Sequence, residues 1–188
     1  MDCALPIAQQ RFCAIDFESS RASGQPLEVG LFLMEHLEWR PDLAWGRRLA
    51  SPSTPDAPSL VSLWPDLVHR LRDRVVVAYG AGTEKRFLRT FPLHGFGPWI
   101  DVLPLARSVL PALPRHRLSD VVAALGLQAS LAELLPQGAF HEALFDAAAC
   151  LLVLRDLIAR CQLSEQPLEL LFKPDLSQYY QQAERRSP

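Results

Sequence analysis

The run Val75-Val76-Val77-Ala78-Tyr79 constrains the fold of this chain more than any other stretch. Consecutive β-branched residues with no polar interruption read as a strand covered on both faces. Such a strand needs layers above and below it, and the flanking sequence supplies them. "LVSLWPDLVHRLRD" places Leu60, Leu63, Leu67, Val68 and Leu71 at helical spacing, with Pro65 in the first turn, where proline is tolerated. Beyond the run come "TEKRFLRTF", with Thr83 as its cap, "VLPLARSVL", and "HRLSDVVAALG", which ends at Gly126 as helices commonly end. The longest helical pattern, "HEALFDAAACLLVLRDLIARC", carries an apolar stripe of Leu144, Ala147, Ala148, Leu151, Leu154 and Ile158 and belongs at the centre of the core. Ahead of all these, "RFCAIDFE", "LEVGLFLMEH" and "LAWGRRLA" are strand-like runs joined by turn-forming segments, which makes them an antiparallel meander. The expected class is α/β: a mixed sheet of antiparallel meander plus parallel strands, flanked by helices.

At 188 residues the chain suits one domain with a small helical appendage. The expected divisions are an N-terminal extension over 1–10, the main domain over 11–162 and a C-terminal helical tail over 163–188. Within that tail, "LELLF" promises a short helix and "SQYYQQAERRSP" a polar end. No stretch reaches the ~18 apolar residues of a membrane helix, and "MDCALPIAQQ" lacks the pattern of a secretory start. Cys3, Cys13, Cys150 and Cys161 are far apart, with no metal-site spacing, and are expected to be reduced thiols in a cytoplasmic protein. A formal net charge of −2 excludes binding through a broad basic surface, so any contact with nucleic acid should be local.

The chemistry lies where elements end. Asp16 and Glu18 close the first strand one residue apart, and alternate strand residues share a face. Taken alone, the pair reads more readily as a strand leaving the core with solvated acids, since Asp and Glu are mostly surface residues. Glu84, however, follows "VVVAY" through "GAGT", and His141 and Asp146 open the long helix. Clustered carboxylates repel one another and are stable together at neutral pH only beside a cation. Hard oxygen donors suit Mg²⁺ or Mn²⁺. His141 and Asp146 are five apart, which puts them on different faces of a regular helix, so His141 belongs on the first turn or in the loop before it.

The order "AIDFES", "VAYGAGTEKRFL", "HEALFDA" resembles the DEDD superfamily of 3′-to-5′ exonucleases, in its histidine-containing branch, over roughly residues 11 to 158. The segments "WIDVLPLAR" and "RHRLSDVVAALGL" also look like that family's connecting region. The resemblance implies a ribonuclease-H-like fold and a two-metal phosphodiesterase using Mg²⁺ or Mn²⁺. Asp16 would bridge two ions, Glu18 and Asp146 would complete one of them, Glu84 would reach them through water, and His141 would be the general base. Phe17 and Ser19 would lie against the substrate, a single-stranded or frayed 3′ end of DNA or RNA, and nucleoside monophosphates would be released.

Two features depart from the family pattern. Tyr79-Gly80 stands where His-Asn is usual, Thr83 where an aromatic is usual, and Glu84 where Asp is usual; the glycine-isoleucine-threonine loop of many relatives is replaced by "SPSTPDAPSL". The alternative to an exonuclease is a relative with little or no hydrolysis that binds nucleic-acid ends or a protein partner. A third reading is a phosphodiesterase for small oligonucleotides, which the modest charge would suit. Asp101 and Asp120 read as helix-start acids with no chemical role.

Overall fold

The computed structural model describes residues 5–91 and 95–172. Among these, the strands are β1 (Arg11–Ser19), β2 (Pro26–Glu35), β3 (Glu38–Trp39), β4 (Trp45–Arg48), β5 (Val75–Ala78) and β6 (Trp99–Asp101). The helices are α1 (Trp64–Leu71), α2 (Gly82–Leu88), α3 (Val102–Val109), α4 (Leu118–Leu125), α5 (Gln128–Leu134) and α6 (Ala143–Arg160). The sheet runs β3-β2-β1-β5-β6, and β4 joins the same edge of β2 as β3, further along the strand. Pairing is antiparallel among the first four strands and parallel for β1 with β5 and β5 with β6. The expected mixed sheet is therefore present.

Side-chain alternation divides the sheet between two cores. Phe12 and Ala14 of β1 and Val75 and Val77 of β5 point toward α6, α3 and α4; Cys13, Ile15, Phe17 and Val76 point toward α1 and α2. All four residues of β5 are buried, as a doubly covered strand requires. By the same alternation Asp16 and Glu18 continue the Phe12/Ala14 face, so the last two even positions of β1 turn toward α6. Helix α6 is buried on nearly all sides, with sheet below and α3, α4 and α5 against it, which explains why its sequence is apolar well beyond one stripe.

The structure differs from the sequence reading in several places. The third strand-like run is shorter, since Leu43 lies in a 3₁₀ turn and only Trp45–Arg48 pairs with β2. Strand β6 was not expected; three residues behind Pro98 are too few to carry a periodicity. Helix α5 is likewise additional. Helix α2 starts at Gly82, so Thr83 lies inside its first turn and does not cap it. Helix α4 does end at Gly126, and the "LELLF" turn is a 3₁₀ helix, Leu168–Leu171. The polar segment after Phe172 lies outside the described residues, as does Cys3.

Ile7 is fully buried, and the N–H groups of Ile7 and Ala8 donate to the carbonyls of Gln166 and Ser164. Residues on either side of 11–162 thus pair with each other over the α6 core. The described cysteines, Cys13, Cys150 and Cys161, are free and buried. Among the described residues no helix is long and apolar enough to cross a membrane.

One close approach fixes α6 on the sheet. A Cβ on Gly30 of β2 would lie 2.1 Å from the backbone N of Leu144 and 2.2 Å from the carbonyl carbon of Ala143. Only glycine leaves room for the start of α6 there. Gly30→Ala should therefore cost at least about 1–3 kcal/mol, the range for overpacking against an unyielding neighbour. Urea unfolding would measure it, and a loss below ~0.5 kcal/mol would mean that the contact is looser than described.

Candidate active site

Three elements deliver carboxylates to the carboxyl-terminal ends of β1 and β5. Asp16 and Glu18 come from β1, Glu84 from α2 and Asp146 from the first turn of α6. Glu84 is almost fully buried, at 4% exposure, and its Oε2 has no hydrogen-bond partner. Asp146 Oδ2 accepts from the His141 backbone N–H at 3.3 Å, whereas its Oδ1 is buried without a partner. His141 lies in the loop before α6, in left-handed backbone conformation (φ 73°), as the five-residue spacing from Asp146 demands. Its side chain is 85% exposed, and Nδ1 is 4.0 Å from Glu18 Oε1. Ligand atoms of Glu18, His141 and Asp146 lie within 4.8 Å of one another.

The electrostatics follow from this crowding in a dry place. Burial, then the neighbouring charges of Asp146, Glu84 and Glu18, push the Asp16 carboxyl up to about 8. Burial is also the largest cause for Glu84, raised to about 7; Asp101 adds to the shift, while the backbone N–H groups of Glu84 and Phe17 oppose it. Asp146 rises to about 6, through burial and Glu18, against the hydrogen bond from His141. At neutral pH Asp16 therefore keeps its proton and Glu84 shares in the resistance to ionisation, unless something positive takes the proton's place.

Of the residues expected at the substrate, Ser19 ends β1 on its rim, half-buried. The Phe17 side chain does not join the acids: it projects to the opposite face of β1, with its ring 5.1 Å from that of Phe87. Only its backbone N–H lies beside Glu84.

One acid of this region, Glu28, escaped sequence reading, and another, Asp101, does more there than its helix-start position announces. Glu28 pairs across the strands with Glu18; burial raises its carboxyl, against the nearby charge of Arg48 and a bond from the Ala143 N–H at the start of α6. Only the register of the β1–β2 pair brings it there. Asp101 ends β6 and accepts hydrogen bonds from Gly80, Ala81 and Leu103. It caps α3, as a helix-start acid should, but also reaches across to the turn before α2.

No protein-family model matches the sequence, and no curated protein does. Solved structures match in fold. Exonuclease X in complex with 5′ overhanging duplex DNA aligns with a TM-score of 0.63 at 17% identity, covering 86% of this chain and 99% of that one. The nuclease domain of 3′hExo, a DEDDh family member bound to rAMP, aligns with a TM-score of 0.64 at 12% identity, over 85% and 96% of the two chains. E. coli Exonuclease I in complex with a dT13 oligonucleotide aligns at 0.54 and 13% identity, over 82% of this chain and 42% of that one. The fold is thus the ribonuclease-H-like fold of the DEDD exonucleases, as the motif resemblance implies.

The raised carboxyls carry a stability consequence. Unfolded, these acids lose their protons near pH 4; folded and metal-free, they keep them up to about pH 6 to 8. The folded state then binds more protons than the unfolded one, so stability falls as pH rises through that window. Urea midpoints of metal-free protein should be lower near pH 8 than near pH 5, and Asp16→Asn should flatten the slope. An equally steep slope in that variant would show that Asp16 is not among the groups responsible.

Proposed function

We propose that the chain is a metal-dependent 3′-to-5′ exonuclease that releases nucleoside monophosphates from a single-stranded or frayed 3′ end of DNA or RNA. The observation that carries this reading is the convergence of Asp16, Glu18, Glu84 and Asp146 on one pole, with Glu84 Oε2 and Asp146 Oδ1 buried and unpartnered. Oxygen donors of that kind, forced together and left without hydrogen bonds, fit Mg²⁺ or Mn²⁺. Structural neighbours bound to duplex DNA, an oligonucleotide and rAMP add support for a nucleic-acid substrate.

In this reading Asp16, Glu18 and Asp146 would hold the ions directly, with Glu84 acting through water, and the bound metal would supply charge stabilisation for an in-line displacement at phosphorus. His141, exposed and on a loop, has room to swing toward the water it deprotonates; with Nδ1 turned to Glu18, Nε2 is the nitrogen that takes the proton. Ser19, at the rim, and the Phe17 backbone, beneath it, are the β1 groups nearest an incoming strand.

Incubation with 3′- and 5′-labelled DNA and RNA oligonucleotides, in Mn²⁺ or in EDTA, tests the reading directly. Monophosphates should appear from the 3′ end in Mn²⁺ alone. Asp16→Asn and Asp146→Asn should abolish hydrolysis with the fold intact, and undiminished cleavage by either would sink the two-metal assignment. His141→Ala should slow turnover about 10²- to 10⁴-fold, the usual worth of a general base, with metal affinity retained. Glu84→Asp should be tolerated or beneficial, whereas Glu84→Gln should lose both metal affinity and rate, since charge matters here more than reach. A wild type that is inert until Glu84→Asp restores hydrolysis would replace the exonuclease reading with that of an end-binding relative.

A further inference from the structure

We propose that Asp101 is a positioning residue: its carboxylate clamps the Tyr79-Gly80-Ala81 turn so that α2 presents Glu84 to the acid cluster. This inference rests on the metal-dependent reading above. Oδ1 accepts from the Gly80 N–H at 2.8 Å and from the Leu103 N–H at 3.1 Å, and Oδ2 accepts from the Ala81 N–H at 3.0 Å. A helix-capping acid needs only the Leu103 bond. The other two go to residues some twenty positions earlier in the chain, on the turn by which β5 leaves the sheet, just beyond Ala78, the residue in register with Asp101 across the β5–β6 pair.

The turn has other anchors, since Tyr79 OH donates to the His116 carbonyl at 2.8 Å and the Gly82 N–H to the Gly80 carbonyl at 2.6 Å, but its Gly80 and Ala81 N–H groups are held by Asp101. Gly80 is in left-handed conformation (φ 80°), Ala81 is the N-cap of α2 without a side-chain cap bond, and α2 is seven residues long. A helix so short does not stand by its own propensity. Its starting point is set where Asp101 seizes the two N–H groups, which explains why the helix begins ahead of Thr83. Glu84 follows within that first turn; backbone N–H groups of Glu84 and Phe17 bond its carboxyl, but its buried Oε2 has no partner.

Mn²⁺ binding by the full chain, followed by electron paramagnetic resonance of the free ion, tests this. Asp101→Asn replaces one acceptor with an amide NH₂ facing an N–H; it should weaken Mn²⁺ about 10- to 100-fold, the usual scale for groups that orient ligands. In a Glu84→Gln background the same change should have less than about twofold effect, because the residue it acts through is already lost. Loss of Asp101's charge acting through space would persist in that background, and equal factors in both backgrounds overturn the proposal. Asp101→Ser keeps a capping oxygen for Leu103 but cannot span to Gly80 and Ala81. It should fold, speed amide exchange at Gly80 and Ala81, and bind Mn²⁺ as weakly as Asp101→Asn; wild-type affinity in the serine variant would reduce Asp101 to a cap of α3. A wild type that holds no Mn²⁺ overturns the nuclease reading itself, whereas a wild type that binds while Asp101→Asn binds equally well overturns only this proposal.

Discussion

Helix α6 reaches the end of β1 because its first turn lies directly on the backbone of β2 at Gly30, the residue paired with Asp16 across the two strands. Everything at the acidic pole depends on that contact. It sets how near Asp146 comes to Asp16 and Glu18, where the His141 loop must turn, and which backbone N–H Glu28 can hold. Any side chain at position 30 would lift the helix by more than the spacing of the cluster tolerates, since packed interiors do not deform smoothly.

The cluster opposes folding, and the rest of the molecule offsets it. Phe12, Ala14, Phe32 and Met34 of β1 and β2 are fully buried against an α6 that is apolar on nearly every side, and a second core closes the other face of the sheet. Burial of large apolar side chains contributes roughly 1.5–3 kcal/mol each. Such a frame can hold several carboxyls in a place where they resist ionisation. The protonated acids are the form this frame prefers, and a cation is what changes that preference.

Much of this pole was legible in the sequence because it depends on local periodicity. Asp16 and Glu18 share a face by strand alternation, and the spacing of His141 and Asp146 forces the histidine off the helix, where the structure has it. The doubly buried "VVVAY" strand announced layers on both sides. What stayed hidden depends on pairing between distant segments. Glu28 joins the site only through the β1–β2 register, and Asp101 only because a three-residue strand sets it beside the exit of β5. Thr83 misled for the same reason: a helix start looked locally capped, but carboxylate bonds from another strand placed it earlier. Phe17 shows the reverse limit, since alternation alone assigns its side chain to the far face from its acidic neighbours.

The buried thiols acquire a use from where they lie. Cys13 is on β1 and Cys150 on α6, the two elements whose contact builds the acidic pole. Burial pushes Cys13 up to about 12, and burial with the surrounding carboxylates holds Cys150 well above the ordinary thiol value. Neither is a competent nucleophile while its core is closed. Cys150 lies in the α6 core and Cys13 in the core on the other face of the sheet, so alkylation of each in native buffer counts openings of a different side, and the chain carries its own clock for each.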